Sequence, residues 1–196
     1  MRKIIAVLIL IGLGALLFLN PSIYNKNKEE ETKRLFDDVI EEKEILPLAQ
    51  ANTGVLTFNV EKLQKSPYEI IKFNTMLMKV MYSGKLSEDE IKLLAKVQRT
   101  YYAQALLELN PEEEHMSTIV EEVRRANEGK DHIVDYRVLL PEYSPTDNAL
   151  AFVKVVFIPN SVGKSENIQQ QYVLERSDGL WFIKGWVPIG ETITIE

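Results

Sequence analysis

Two histidines, scattered acids and a group of tyrosines are the side chains in this sequence best equipped for metal or proton chemistry, for it holds no cysteine. Without thiols there are no disulfides, thiolate metal sites or thiol nucleophiles. His115 follows Glu112, Glu113 and Glu114, and a histidine with acids one to three residues away can hold a weak metal. Neighbouring helix positions point in different directions, however, and only Glu112 shares its face closely, so the expectation is a solvated helix start. His132, beside Asp131, has no second histidine near it in sequence and is expected at the surface. An acid and a tyrosine enclosed in an apolar cavity would be a different matter, because burial raises a carboxyl pKa towards neutrality. Asp135, Tyr136, Tyr172, Glu175, Tyr101 and Tyr102 are the raw material. Strand alternation places Asp135 with Ile133, Arg137 and Leu139, opposite Val134, Tyr136 and Val138, which predicts a wetted row with an Asp135–Arg137 ion pair. Glu175 falls with Gln169, Gln171 and Val173, again a mostly polar row. No glycine-rich phosphate loop, metal-ligand spacing or Ser-His-Asp arrangement is present. The expectation is a protein without catalytic residues, cofactor or metal. Tyr101, Tyr102, Tyr136, Trp181 and Trp186 remain as candidates for a pocket or an interface, against the plainer expectation of core and rim packing.

The elements that must position these residues can be read from periodicity. Lys26 to Glu44 is charged but carries Leu35, Phe36, Val39 and Ile40 on one side, which predicts a stalk helix with a narrow apolar stripe. Pro47, Asn52 and Gly54 mark a linker, and Val55 to Val60 reads as a short strand. Three helices follow. Ser66 and Pro67 start the first, whose face of Ile70, Phe73, Leu77, Val80 and Met81 runs to a stop at Gly84. Ser87 and Glu90 make a capping box for the second, which is expected to run through Tyr101 and Tyr102 to Leu109. Asn110 and Pro111 cap the third, with Met116, Ile119, Val120 and Val123 on its apolar face and three glutamates at the positive end of its macrodipole. Short connections predict that the first two pack as neighbours. From His132 onward the period becomes twofold. Strands are expected over 132–140, 148–158, 168–176 and 180–187, with a fifth over 191–195, and Asp178-Gly179 signals a tight hairpin. Pro141 to Asp147 and Pro159 to Glu166 read as polar loops. Helices followed by strands give an antiparallel α+β domain: three helices across one face of a curved sheet of four to five strands, forming a cone.

The beginning of the chain speaks to place. Arg2 and Lys3 precede an unbroken apolar run from Ile4 to Leu19, closed by Asn20 and Pro21. Sixteen helical residues reach about 24 Å, short of a hydrocarbon core of roughly 30 Å unless the helix extends through Ile23 and Tyr24. The run fits a cleaved signal or a retained anchor, and the lack of a small-residue pair near its end favours retention. The basic flank predicts a cytoplasmic N-terminus and an outer-face domain. The expected organisation is an anchor over 1–24, a stalk and linker over 25–54, and an extracytoplasmic domain over 55–196. The whole chain carries a net charge of -6, and without Arg2 and Lys3 the remainder carries -8. An acidic surface repels phosphate backbones, which argues against nucleic acid as a partner.

Several stretches carry a resemblance. Val60-Glu61-Lys62-Leu63 followed by Ser66 to Lys72, Leu86 to Glu90, Leu106 to Glu113, and Trp181-Phe182-Ile183-Lys184-Gly185-Trp186 together resemble an uncharacterised family of membrane-anchored proteins from Gram-positive bacteria. The resemblance covers about residues 55 to 187. It implies a cone like that of nuclear transport factor, cystatin-like and ketosteroid isomerase domains, in which the closing strand carries a similar tryptophan, glycine and tryptophan pattern. It implies no catalytic residue, since that family has no established activity. Cones of this type pair readily through the sheet, so a homodimer is expected. The leading functional expectation is a noncatalytic interaction or assembly module with an unidentified protein partner. A binding protein for a small apolar or peptide-like ligand is the alternative, and a cone-fold isomerase or hydrolase a lesser one.

Overall fold

The computed structural model describes residues 60–129, 131–160 and 167–189, together with Ile45 and Pro47. All fall within Glu42–Glu196, which forms a unit of its own. The apolar run 4–19, nearly all of the stalk and linker, the expected strand residues 55–59 and the strand expected over 191–195 lie outside the described residues. Ile45 is fully buried.

Five helices precede five strands among the described residues: α1 (Val60–Leu63), α2 (Pro67–Met81), α3 (Glu88–Arg99), α4 (Gln104–Leu109), α5 (Glu112–Gly129), β1 (Ile133–Val138), β2 (Glu142–Tyr143), β3 (Leu150–Pro159), β4 (Ile168–Ser177) and β5 (Leu180–Pro188). The α+β expectation holds. Val60, read from the sequence as the end of a strand, opens α1 instead.

Capping chemistry sets the helix starts. The Ser66 hydroxyl accepts from the Glu69 N–H, with Pro67 in the first turn where its missing donor is not needed. Ser87 and Glu90 form a reciprocal capping box at α3. The second expected helix breaks in two. Thr100 folds its hydroxyl back onto the Val97 carbonyl at 2.7 Å, and the chain then turns extended. Tyr101 and Ala103 bond to Ile183 at 2.9 and 2.8 Å, continuing the sheet beyond β5. The N–H groups of Tyr101 and Tyr102 keep only tight turn bonds to Gln98 and Arg99 while the Tyr101 carbonyl and Ala103 N–H join the sheet, which helical periodicity alone does not reveal. Asn110 also departs from expectation: its side chain donates to the Leu106 carbonyl, closing α4 rather than opening α5.

The sheet is antiparallel in the order β1-β3-β4-β5, with β2 paired to β3 inside the stretch read as a loop. Asp178 and Gly179 turn the last hairpin with φ of 51° and 81°, the left-handed pair that a two-residue hairpin demands. A bulge between Ile133 and Asp135 corrects the expected alternation in β1. Ile133 turns inward opposite Pro159 while Asp135 and Arg137 face outward opposite Ile158 and Val156. The Asp135 carboxylate accepts the Tyr136 N–H at 2.8 Å, so the charge expected to pair with Arg137 is engaged by backbone. Bulge and local bond together blunt this edge strand against further pairing.

Helix α2 packs on β1 and β3, α3 on α2 and α5, and α4 on β5. The core is the inner sheet face, with Ala151, Val153, Val155, Phe157, Leu174 and Ile183, closed by Ile70, Phe73, Leu77 and Leu94.

Candidate functional site

Three places gather chemistry-bearing side chains. The first is the interior between α2, α3 and β4, where Asn74 forms a hub. Its Oδ1 accepts from Gln98 Nε2 at 3.0 Å and from the Tyr101 hydroxyl at 3.2 Å. The Tyr172 hydroxyl donates to Gln170 at 3.0 Å and bonds the Asn74 side chain. Tyr101 has no exposed surface and Tyr102 retains 6%. Burial, with added repulsion from the neighbouring tyrosines, holds the Tyr101 hydroxyl well above its ordinary pKa. Burial also raises Tyr102, against the Arg99 charge, and Tyr172. Tyr82 is raised by burial and by Glu122, whose carboxylate lies 3.4 Å from its hydroxyl. These phenols therefore stay neutral donors. Asp135 and Glu175, the acids proposed from sequence for proton exchange, stand on the opposite face of the sheet, and Glu175 pairs with Lys184 at 2.8 Å.

Aromatic contacts decide which of the five candidates belong together. Tyr101, Tyr102 and Trp186 form one run with centroid separations of 5.9 and 6.1 Å, extended by Phe73 and Tyr172. Trp186 is 40% exposed and closes the run at the surface. Trp181 sits elsewhere, 4% exposed, against Tyr143 and beneath Arg176. Tyr136 is separate again, with Lys79 over its ring. Core packing thus accounts for Tyr101, Tyr102 and Trp181. The hub residues Asn74 and Gln98 escaped the sequence reading of the site. A buried amide is invisible to a hydrophobic pattern, although Asn74 does share the inward face with Phe73 and Leu77.

Both histidines are half-buried, contrary to expectation. The His115 ring packs 6.0 Å from Tyr102, and its Nδ1 lies 3.4 Å from Arg99 Nη1, which also donates to the Asn110 carbonyl at 2.8 Å. Burial and then the Arg99 charge lower its pKa. His132 packs over Gly84, and its Nδ1 is buried without a hydrogen-bond partner. Among the described residues no group of three or more histidines and acids could hold a metal ion.

The second place is the outer sheet face. Phe152, Val156 and Ile158 on β3 lie beside Val173 on β4 and Phe182 on β5, all half-buried, with Lys154–Glu142 and Lys184–Glu175 pairs among them. The third is an open groove of about 1000 Å³ between α3 and α5, floored by Leu93, Met116 and Val120 and rimmed by charge. Sequence reading gave these helices apolar faces but did not foresee the groove, which exists because Leu93 and Val120 face outward beside the buried seam of Leu94 and Ile119.

The family model for a domain of unknown function, DUF6715, matches residues 1–186, and the chain belongs to that family. The match takes in the first 54 residues, beyond the reach of the resemblance read from residues 55 to 187. No curated protein matches the chain, and no solved structure does. Among the described residues no helix is long and apolar enough to cross a membrane.

Proposed function

We propose that this member of the DUF6715 family is a noncatalytic interaction module that pairs with a second copy through the outer face of its sheet. In this reading the apolar segment 4–19 holds it on the outside of a Gram-positive cell membrane. The observation that carries pairing is the outer face, where Phe152 lies opposite Val173 with Phe182 on the next strand, Val156 follows beyond Lys154, and ion pairs of both signs are set among them. Such a face suits a twofold contact, in which apolar side chains meet across the axis and the charges among them are already paired within each copy. Helices across one sheet face suit the nuclear-transport-factor-like cone that the resemblance implies. The anchor rests on Arg2 and Lys3 ahead of sixteen apolar residues.

Ligand binding inside the domain is the weaker reading, because Tyr101, Tyr102 and Tyr172 fill the interior, and the hydroxyls of Tyr101 and Tyr172 are engaged there by Asn74 and Gln170. A catalytic reading has less support still, with Asp135 and Glu175 outside.

The absence of native cysteine gives a direct test. Single cysteines at Lys154, Gln171 or Val173 in the full-length chain should link into dimers in membranes under mild oxidation, while a cysteine at exposed Glu108 should not. A chain that stays monomeric from all three outer-face positions overturns the pairing. Recovery of the full-length chain in the soluble fraction overturns the anchor.

A further inference from the structure

We infer that the groove between α3 and α5 takes an amphipathic helix of another protein, one that is apolar in its middle and basic towards both ends. Leu93, Met116 and Val120 floor the groove. Leu93 and Val120 stay half-buried although Leu94 and Ile119 beside them are buried, so part of each side chain remains open to a partner. Lys96 in the last turn of α3 lies 3.6 Å from Glu112 in the first turn of α5, whereas Glu88 and Asp89 share the groove with Arg124. The two helices therefore run antiparallel, and their side-chain rows form facing walls. From Glu112 to Arg124 the longer wall extends about 18 Å, the reach of roughly twelve helical residues.

Charge decides the occupant. Five acids and three bases line the groove. Two of the bases are engaged within the chain, Lys96 by Glu112 and Arg124 by Glu121 and Glu128. Among the described residues Glu88 and Asp89 at one end and Glu113 at the other have no ion pair, and Lys92, a turn along α3 from Glu88, offsets only part of the first end. Each of these helix starts carries a third acid, Glu90 or Glu114, which more than cancels the roughly half positive charge of the helix dipole there. Both ends of the groove are thus left negative around an apolar centre.

A helix suits this place better than an extended segment. The walls are helices whose backbone groups are bonded within themselves, so a strand laid between them would leave its own N–H and C=O groups without partners, while a helix satisfies its own. Apolar residues three and four apart on the incoming helix meet Leu93, Met116 and Val120, and lysines or arginines at its ends meet Asp89 and Glu113. The same groove of a second copy, acidic at both ends, is repelled, as is a phosphate-bearing surface. The groove lies on the helical layer, apart from the outer sheet face, and stands whether or not the sheet pairs.

The test uses the full-length chain in zwitterionic lipid nanodiscs, with empty discs as the blank. The probes are three helix-stapled peptides of about 14 residues that share leucines spaced three and four apart and carry lysine, glutamine or glutamate at both ends. Fluorescence anisotropy should show the lysine peptide binding about tenfold or more tighter than the glutamate peptide, with the glutamine peptide between them. Ser117→Cys bearing a photoreactive label, on the groove wall, should link to the lysine peptide. Asp89→Asn together with Glu113→Gln should weaken the lysine peptide about fivefold and leave the glutamine peptide within about twofold, which separates loss of charge from loss of fold. No saturable binding of the lysine peptide, equal binding of all three, or indifference to the paired neutralisation overturns the proposal, even where outer-face cysteines link. Links from the Ser117→Cys label to a second copy of the chain instead of the peptide assign the groove to that copy and overturn it as well.

Discussion

Arg99 Nη1 lies 3.4 Å from His115 Nδ1, and because a guanidinium only donates, the imidazole must accept there and hold its proton on Nε2. Protonation replaces this bond by repulsion between two cations, in a half-buried place. The folded pKa of His115 is lowered first by burial and then by Arg99. The unfolded chain therefore binds the proton more readily, and the contribution of His115 is complete above about pH 6.5 and lost as pH falls through the lowered folded value. Chemical denaturation between about pH 5 and 8 should show stability falling on the acid side, and His115→Gln should flatten that slope. An unchanged slope in the variant would assign the acid sensitivity to other groups.

Asn74 should be among the least replaceable polar residues. Its Oδ1 serves two buried donors, Gln98 and Tyr101. Asn74→Ala strands both and should destabilise by about 1–3 kcal/mol or more in urea unfolding, whereas Tyr101→Phe removes a donor and should lose only about 1 kcal/mol. Equal losses would contradict the hub.

Gly84 is constrained twice. Its φ is 74°, and a Cβ there would fall 2.5 Å from Cε1 of His132. Gly84→Ala should destabilise by about 1–2 kcal/mol for the left-handed backbone alone, with the ring clash added. In the His132→Ala background only the backbone part should remain, and a double-mutant cycle measures the difference.

Phe152→Asp tests the sheet face without touching the core. Phe152 is half-buried on the outer face, opposite Val173. Thermal unfolding should change by no more than about 1 kcal/mol, as for a surface substitution, while outer-face crosslinking is lost. Loss of both together would mean that Phe152 serves the fold instead.

Ser87→Ala should reveal the capping box. The hydroxyl accepts from the Glu90 N–H, and Glu90 reaches back to the Ser87 N–H at 2.9 Å. Removing the hydroxyl should destabilise by about 1 kcal/mol in the same unfolding measurement.

Local signals in the sequence carried far into the structure. Ser66-Pro67, the Ser87 and Glu90 box, Gly84 and Asp178-Gly179 each act through backbone chemistry within four residues, and all appear where expected. What escaped depends on partners distant in sequence. The stop at Thr100 is set by ladder bonds to Ile183, 82 positions after Tyr101, and the bulge in β1 by its register against β3. Asn74 and Gln98 were hidden because burial of an amide depends on the group it meets, not on its own polarity. Of the five aromatic candidates, Tyr101, Tyr102 and Trp186 are brought together, but sequence distance gave no means of separating Trp181 and Tyr136 from them.

The clasp between Gln64 and Trp181 has a mechanical consequence. The Gln64 carbonyl accepts the Trp181 N–H at 2.7 Å, and the Gln64 side chain donates back to the Trp181 carbonyl at 3.2 Å. Tension that reaches Gln64 loads this pair of bonds before it can pull on α2, and passes from there into the β4–β5 hairpin. Gln64 is thus strapped to β5 ahead of α2, so a pull that has passed the buried Ile45 must part this junction before it strains the helical layer.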